Sequence, residues 1–411
     1  MTSTATSAED DTIVDNTPTG MSAGRRAPSQ RRRGPAGVWA LLAFAVIFTG
    51  YAFWLGDRFL AVQNRLFDVH SIVPILLLAL AALITLVAGK FDLSISGMAT
   101  LTAFLTIGLT AKQGLPMWAV IIAVLVIGVA GGLLNALLVV GLGINTFIAT
   151  LGTSGLFLGL SAVYSGGTQL AAESTDTALP PWFTEFGSFI GKPPAVLVWL
   201  LIAFAAAMLF MALLRLRPRR LPRPAWLTIS AAIVLSVAAM VLFAFGGASW
   251  LTEISWATAL LLVVAIVMWT LLDHTVFGRE LRATGANSEA ARLAGVRTAR
   301  VTIAAYALGG LLAALAGIVA AASLGAAQPN LGGPLLLPAF AAAFLSTVLF
   351  SRGQFNVWGA VVGGIFLQWV SQGLVNGGLP FTWNEVINGV VLIVAVAVSS
   401  FFARSTPTNA H

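Results

Sequence analysis

Long runs with almost no charged residue constrain this chain more than any other feature. About twelve apolar segments occupy roughly residues 37–56, 71–89, 93–111, 116–142, 146–165, 194–214, 225–247, 257–276, 301–323, 335–350, 358–377 and 385–403. Most approach the ~20 residues that a helix needs to cross ~30 Å of hydrocarbon. Lipid offers no partners to backbone polar groups, so the spans must be helices or a closed barrel. The barrel signature, apolar and polar residues alternating over about ten positions, is absent. The expected fold is therefore all-α, a polytopic transmembrane helical bundle of about 10–12 spans. Composition agrees: 9% of the residues are charged, against about 25% in a soluble domain. Two runs are irregular. The run 93–111 follows its predecessor almost without a linker, and 335–350 is short; both are expected to be broken or re-entrant helices.

Charge placement orients the spans. Lys and Arg number 22 against 15 for Asp and Glu, a net charge of +7. The arginines cluster between apolar runs, which points to the positive-inside rule and not to nucleic acid. Arg25, Arg26, Arg31, Arg32 and Arg33 place the N-terminus in the cytoplasm. Counting spans alternately puts four further groups on the same side: the basic loop 215–224, the segment 277–300, Arg352, and Arg404 at the C-terminus. The loop 166–193, with Glu173, Asp176, Glu185 and Lys192, falls outside. Residues 1–36 are polar and expected to be a disordered cytoplasmic tail. The first apolar run begins too far along the chain for a cleavable signal peptide and reads as a retained anchor. Residues 37–404 form the transmembrane domain, with a short cytoplasmic tail at 405–411. No internal repeat is evident in the sequence.

The absence of cysteine excludes disulfides, thiolate metal sites and Cys nucleophiles. His70, His274 and His411 match no metal spacing, and no Ser/His/Asp arrangement has supporting spacing. No catalytic residue, metal or cofactor is expected.

One cytoplasmic segment carries more information than a plain connector. Residues 277–296 read FGRELRATGANSEAARLAGV. Ser288 to Ala294 are mainly helix formers, with Asn287 or Ser288 as N-cap and Gly295 as the stop. The short helix would present Ala290, Leu293 and Ala294 on one face, small enough for a partner's groove; a solvated connector is the plainer reading. The stretch resembles the coupling loop of permease subunits in ATP-binding-cassette sugar importers of the ribose/xylose/arabinose branch. Gly278, Arg279, Ala283, Gly285, Asn287, Ala290, Ala291 and Gly295 match that pattern, with Val296 in place of Ile. Two further stretches are similar to the family's motifs and occur in its order: Gly89 to Ser96 (GKFDLSIS) and Asn145 to Thr153 (NTFIATLGT). The resemblance covers roughly 70–165 and 275–400. It departs at 335–347, LLLPAFAAAFLST, where the family commonly has an acidic residue. The loop 215–224 and the run 225–247 also look inserted relative to shorter ribose-type permeases, and longer xylose-type members are more similar there.

The resemblance implies a division of labour. The permease, usually paired as a homodimer or with a second permease, would sit in the bacterial inner membrane as a multi-pass pore. An extracellular or periplasmic sugar-binding protein would deliver a monosaccharide, a pentose or related sugar. A cytoplasmic ATPase subunit would dock on the loop containing Gly278, Arg279, Gly285, Asn287, Glu289, Ala290, Ala291 and Gly295. The chain has no phosphate-binding loop of its own, so it is expected to be a transport subunit and not an enzyme.

Candidate pathway residues follow from chemistry. Asp92, with Ser94 and Ser96, lies between two apolar runs, where an unpaired charge is expensive; it is either part of the pathway or a helix cap. Gln368, Gln372 and Asn376 recur every fourth residue and form one polar stripe. Their amides both donate and accept, as sugar hydroxyls require, although such residues also bond between membrane helices. Two rival classes remain. A secondary carrier would fit the span count but normally needs buried carboxylates, for which only Asp92 qualifies. A membrane enzyme would need more titratable groups than the sequence supplies.

Overall fold

The computed structural model describes residues 36–171, 178–200, 253–349, 353–383, 386–390 and 393. The N-terminal tail, the loop 215–224, the run 225–247 and most of 385–403 lie outside the described residues, as do Glu173, Asp176, Arg352 and Arg404.

Apart from two short strands, the ordered elements are helical. In chain order they are α1 (Ala36–Leu55), α2 (Asp57–Leu60), α3 (Val62–Ser71), α4 (Val73–Val87), α5 (Ser94–Ala111), α6 (Met117–Ala136, continued by a π-helical turn, Leu137–Gly141) and α7 (Thr146–Ser165). After α8 (Pro181–Gly187) come α9 (Trp256–His274), α10 (Val276–Ala286), α11 (Ser288–Leu293), α12 (Thr298–Leu324), α13 (Gly333–Leu345) and α14 (Val357–Asn376). Among the described residues, six helices are long and apolar enough to cross a membrane, or seven if the bent α3–α4 pair is one span.

The centre of the bundle is set by composition. Apart from Ile75, every residue of α4 is buried, as expected for a helix that is apolar all round. It packs against α9, α12, α13 and α14, while α12 also packs on α5 and α6. At 27 residues, α12 is about 40 Å long. The α6–α12 approach depends on small residues: a Cβ on Gly132 would strike the Tyr306 carbonyl, and one on Gly310 the Gly128 carbonyl. Such contacts let membrane helices gain dispersion energy where lipid supplies no hydrophobic drive. The other side of α6 exposes Trp118, Ile122, Val126, Leu133 and Leu137 at helical spacing, a lipid-facing stripe. The threonines inside α5 are satisfied locally, with Thr100, Thr102 and Thr106 donating to carbonyls one turn back at 3.0, 2.8 and 2.7 Å.

Two expectations about irregular helices come out differently. The run 93–111 is an unbroken helix from Ser94 to Ala111, preceded by a non-helical connection at 88–93. The bend lies instead at Ile72, where α3 and α4 meet at 49°. Pro74 at the start of α4 explains it, because proline lacks the amide hydrogen and clashes with the carbonyl four residues back. The run 335–350 is short but not broken within its helix: α13 is a single helix of 13 residues with Pro338 inside.

Alternating helices sort the connections to two ends. One end holds the 88–93 connection and the α10–α11 segment, which share a cavity with Val139, Val140, Thr298 and Thr302. At the other end, the strands β1 (Leu170–Ala171) and β2 (Ala326–Ala327) pair antiparallel, and Lys192 pairs with Glu253. The described arginines Arg279, Arg282, Arg292, Arg297 and Arg300 all belong to the first end.

Candidate functional site

The segment expected from its sequence to be the coupling loop forms a compact helix–turn–helix. Thr275 opens α10 by accepting from the Gly278 amide at 3.3 Å, and Gly278 is buried against the Leu272 backbone. Arg282 on α10 pairs with Asp273 at the end of α9, which ties the segment to its preceding span. Asn287 caps α11, its side chain accepting from the Ala290 amide at 3.0 Å. Gly295 has φ 87°, a left-handed conformation that glycine adopts without strain. Ala291 is the buried anchor, whereas Ala290 and Ala294 are exposed and Leu293 is 80% exposed. The face expected from sequence is therefore turned outward. Glu289 and Arg292 pair across one turn at 2.6 Å, both largely exposed; that hydrogen bond and charge raise the Arg292 guanidinium further above its ordinary value. Arg279 is also exposed. Gly285 is in backbone contact with Val87 and Gly89, where a side chain would hold the segment off the bundle.

Asp92 lies just beyond that contact and is 1% exposed. Its Oδ1 accepts from the Ser94 amide at 3.0 Å and from Ser94 Oγ at 2.6 Å. Of the two readings from sequence, the hydrogen bonds fit the cap: the carboxylate holds the first amide of α5 and is deeply buried. Oδ2 has no partner and faces Gly309 on α12. Ser94 in turn accepts from Asn135 on α6, and Asn135 from Thr153 on α7. Ser96 is buried but turned back on its own helix, its hydroxyl donating to the Leu93 carbonyl at 3.3 Å.

Gln368 and Gln372 lie elsewhere, towards the opposite end. They line a cavity of about 300 Å³ together with Ser71, Ile75, Pro338, Ser371 and Asn388. Asn376, the third member of the proposed stripe, is exposed near the end of α14 and does not line it. The structure thus separates the candidate pathway residues into two groups. Sequence reasoning missed Asn135, Thr153, Ser71, Ser371 and Asn388. Asn135 was detectable, since it is an amide inside an otherwise apolar run, and buried polar residues in membrane helices seldom lack a role. Asn388 carries the same signal within the run 385–403, whereas Ser71 carries none, because only the packing of α3 against α14 makes it part of a wall.

Comparison with known proteins identifies the family. A family model described as the permease component of branched-chain amino acid transport systems matches residues 67–396. The chain is 30% identical to the autoinducer 2 import system permease protein LsrC of Salmonella typhi, over 86% of this chain and 82% of that protein. It is equally similar to the proteins of the same name from Escherichia coli O157:H7 and Shigella flexneri, at 30% identity over 87% of this chain and 85% of each relative. No solved structure matches the chain. The chain belongs to this permease family and is a multi-pass membrane permease component of an ATP-binding-cassette import system, not a secondary carrier.

Proposed function

We propose that this permease passes a small neutral polyhydroxylated solute, a monosaccharide such as a pentose, along a route that includes the cavity between α3, α4, α13 and α14. The observation that carries this reading is the lining. Ser71, Gln368, Ser371, Gln372 and Asn388 supply hydroxyls and amides, and among the described residues no charged side chain lines the cavity. A free amino acid brings an ammonium and a carboxylate, whose desolvation without charged partners is costly. Sugar hydroxyls are neutral donors and acceptors that amides can satisfy. The volume of about 300 Å³ is at the low end for small-molecule sites. The cavity lies towards the end opposite the coupling segment, where a binding protein outside the cell would release its cargo. The exposed α11, with Leu293 outermost, is the docking element for the ATPase subunit. A second permease copy completes the pore.

The test is reconstitution of the permease with its ATPase and binding protein in vesicles, with uptake of labelled pentoses, hexoses, autoinducer 2 and leucine compared. The expected result is ATP-dependent uptake of a neutral hydroxylated solute. Gln368→Ala and Gln372→Ala should each raise the half-saturating concentration about 3- to 10-fold, the loss of about one neutral hydrogen bond. Uptake of leucine with none of the hydroxylated solutes would overturn the substrate class.

A further inference from the structure

Four buried polar side chains link three helices next to the coupling segment. Thr153 on α7 donates to Asn135 Oδ1 at 2.6 Å, Asn135 Nδ2 donates to Ser94 Oγ at 2.6 Å, and Ser94 Oγ donates to Asp92 Oδ1 at 2.6 Å. Thr153 donates first, Asn135 and Ser94 each accept from the α7 side and donate onward, and the Asp92 carboxylate accepts last, so the chain has one direction. All four residues are at most 4% exposed. In so dry a setting successive hydrogen bonds polarise one another, and breaking one strands its neighbours.

The two ends of this chain touch different machinery. At the Asp92 end, the non-helical connection 88–93 lies against Gly285 of the coupling segment through Gly89. At the Thr153 end, α7 packs mainly on α5. Among the described residues its other side is open: Leu151, Leu156 and Leu160 are about half exposed (54, 47 and 47%), and Gly152, Gly155 and Gly159 have nothing within 4 Å. Among the spans, α7 is therefore a peripheral helix tied to the ATPase-facing end by a directional polar chain.

We infer that Asn135 and Thr153 are positioning residues that carry a displacement of the coupling segment to α7, making α7 the helix that ATP hydrolysis moves. This rests on the docking role given above to α11. A shift of Gly285 against Gly89 acts on a short connection that the Gly89 and Lys90 amides tie to the Leu86 and Thr85 carbonyls of α4, both at 2.9 Å. Asp92 and Ser94 follow, and the short bonds through Asn135 pull on Thr153 one helix further out.

The experiment uses the full transporter, with a spin label on Leu151→Cys in a chain that has no cysteine of its own. Spectra are compared between the nucleotide-free complex and the complex trapped with ADP and vanadate. In the otherwise unmodified protein the label should change its environment on trapping. Thr153→Val and Asn135→Ala should abolish that change and lower solute moved per ATP about tenfold, while Thr153→Ser keeps both. A merely structural role would reduce the amount of inserted complex without altering the ratio of solute to ATP. Ser94→Ala cuts the same chain at its next bond and replaces Thr153→Val if that variant does not insert. The inference is overturned if the label responds normally in the severed variants, or if it never responds in the parent. An error in the substrate class would leave the label response intact, because trapping needs no solute; an error in the docking role would instead leave the ATPase subunit bound when Leu293→Asp is introduced, a change that should otherwise detach it.

Discussion

Glu289 shows how little an exposed ion pair needs to contribute to folding in order to matter. Its carboxylate bonds Arg292 within one turn of α11, and both side chains are about two-thirds exposed. Pairs of this kind add almost nothing to stability. Glu289→Ala should therefore leave the melting temperature of the purified permease unchanged while reducing ATP-driven uptake at least severalfold. A fall in melting temperature with normal uptake would assign the pair to the fold instead. Gly295 behaves differently, because its φ of 87° makes any side chain a backbone strain of about 1 kcal/mol. At this scale the sequence was informative where chemistry is local: Asn287 as cap and Gly295 as stop follow from their own side chains. Asp92 was legible as a cap on the start of α5, but the continuation from Ser94 through Asn135 to Thr153 joins residues 59 positions apart at the extremes. No local pattern records such a meeting.

The packing of helices follows from small residues that a hydropathy reading treats as filler. Gly128 and Gly132 on α6 meet Gly310 and the Tyr306 carbonyl on α12, so any added methyl falls on backbone atoms that cannot rotate away. Gly132→Ala should destabilise the permease by about 1–3 kcal/mol, the usual penalty for overpacking. Gly155→Ala, on the open side of α7 with nothing within 4 Å, should be neutral. Thermal unfolding in detergent compares the two, and equal losses would sink the packing argument. Helix existence was readable from apolar length, since α5, α7, α9, α12 and α14 lie within a few residues of their runs. The site of the break was not. The short linker at 88–93 suggested a broken α5, yet the helix before it bends, because Pro74 acts on the backbone of its own helix whatever the neighbouring linker does.

Across the described residues of the bundle, the arginines from Arg279 to Arg300 share one end with the 88–93 connection, and α8 with its loop belongs to the other. The lack of native cysteine gives a clean test of orientation. In intact cells a membrane-impermeant maleimide should label Thr184→Cys, and should reach Ser288→Cys only after permeabilisation. The reverse pattern would invert the topology and remove the coupling segment from the ATPase. Sequence alone determined that the chain is a helical membrane protein, because lipid forbids unpaired backbone and punishes charge, and both rules act on contiguous residues. It also determined the family, through motifs short enough to be read in one stretch. Tertiary structure alone decided which polar residues belong together. Gln368 and Gln372 form a wall with Ser71 and Asn388, while Asp92 joins Asn135 and Thr153, because side chains from different helices meet only after α4 and α12 have packed at the centre.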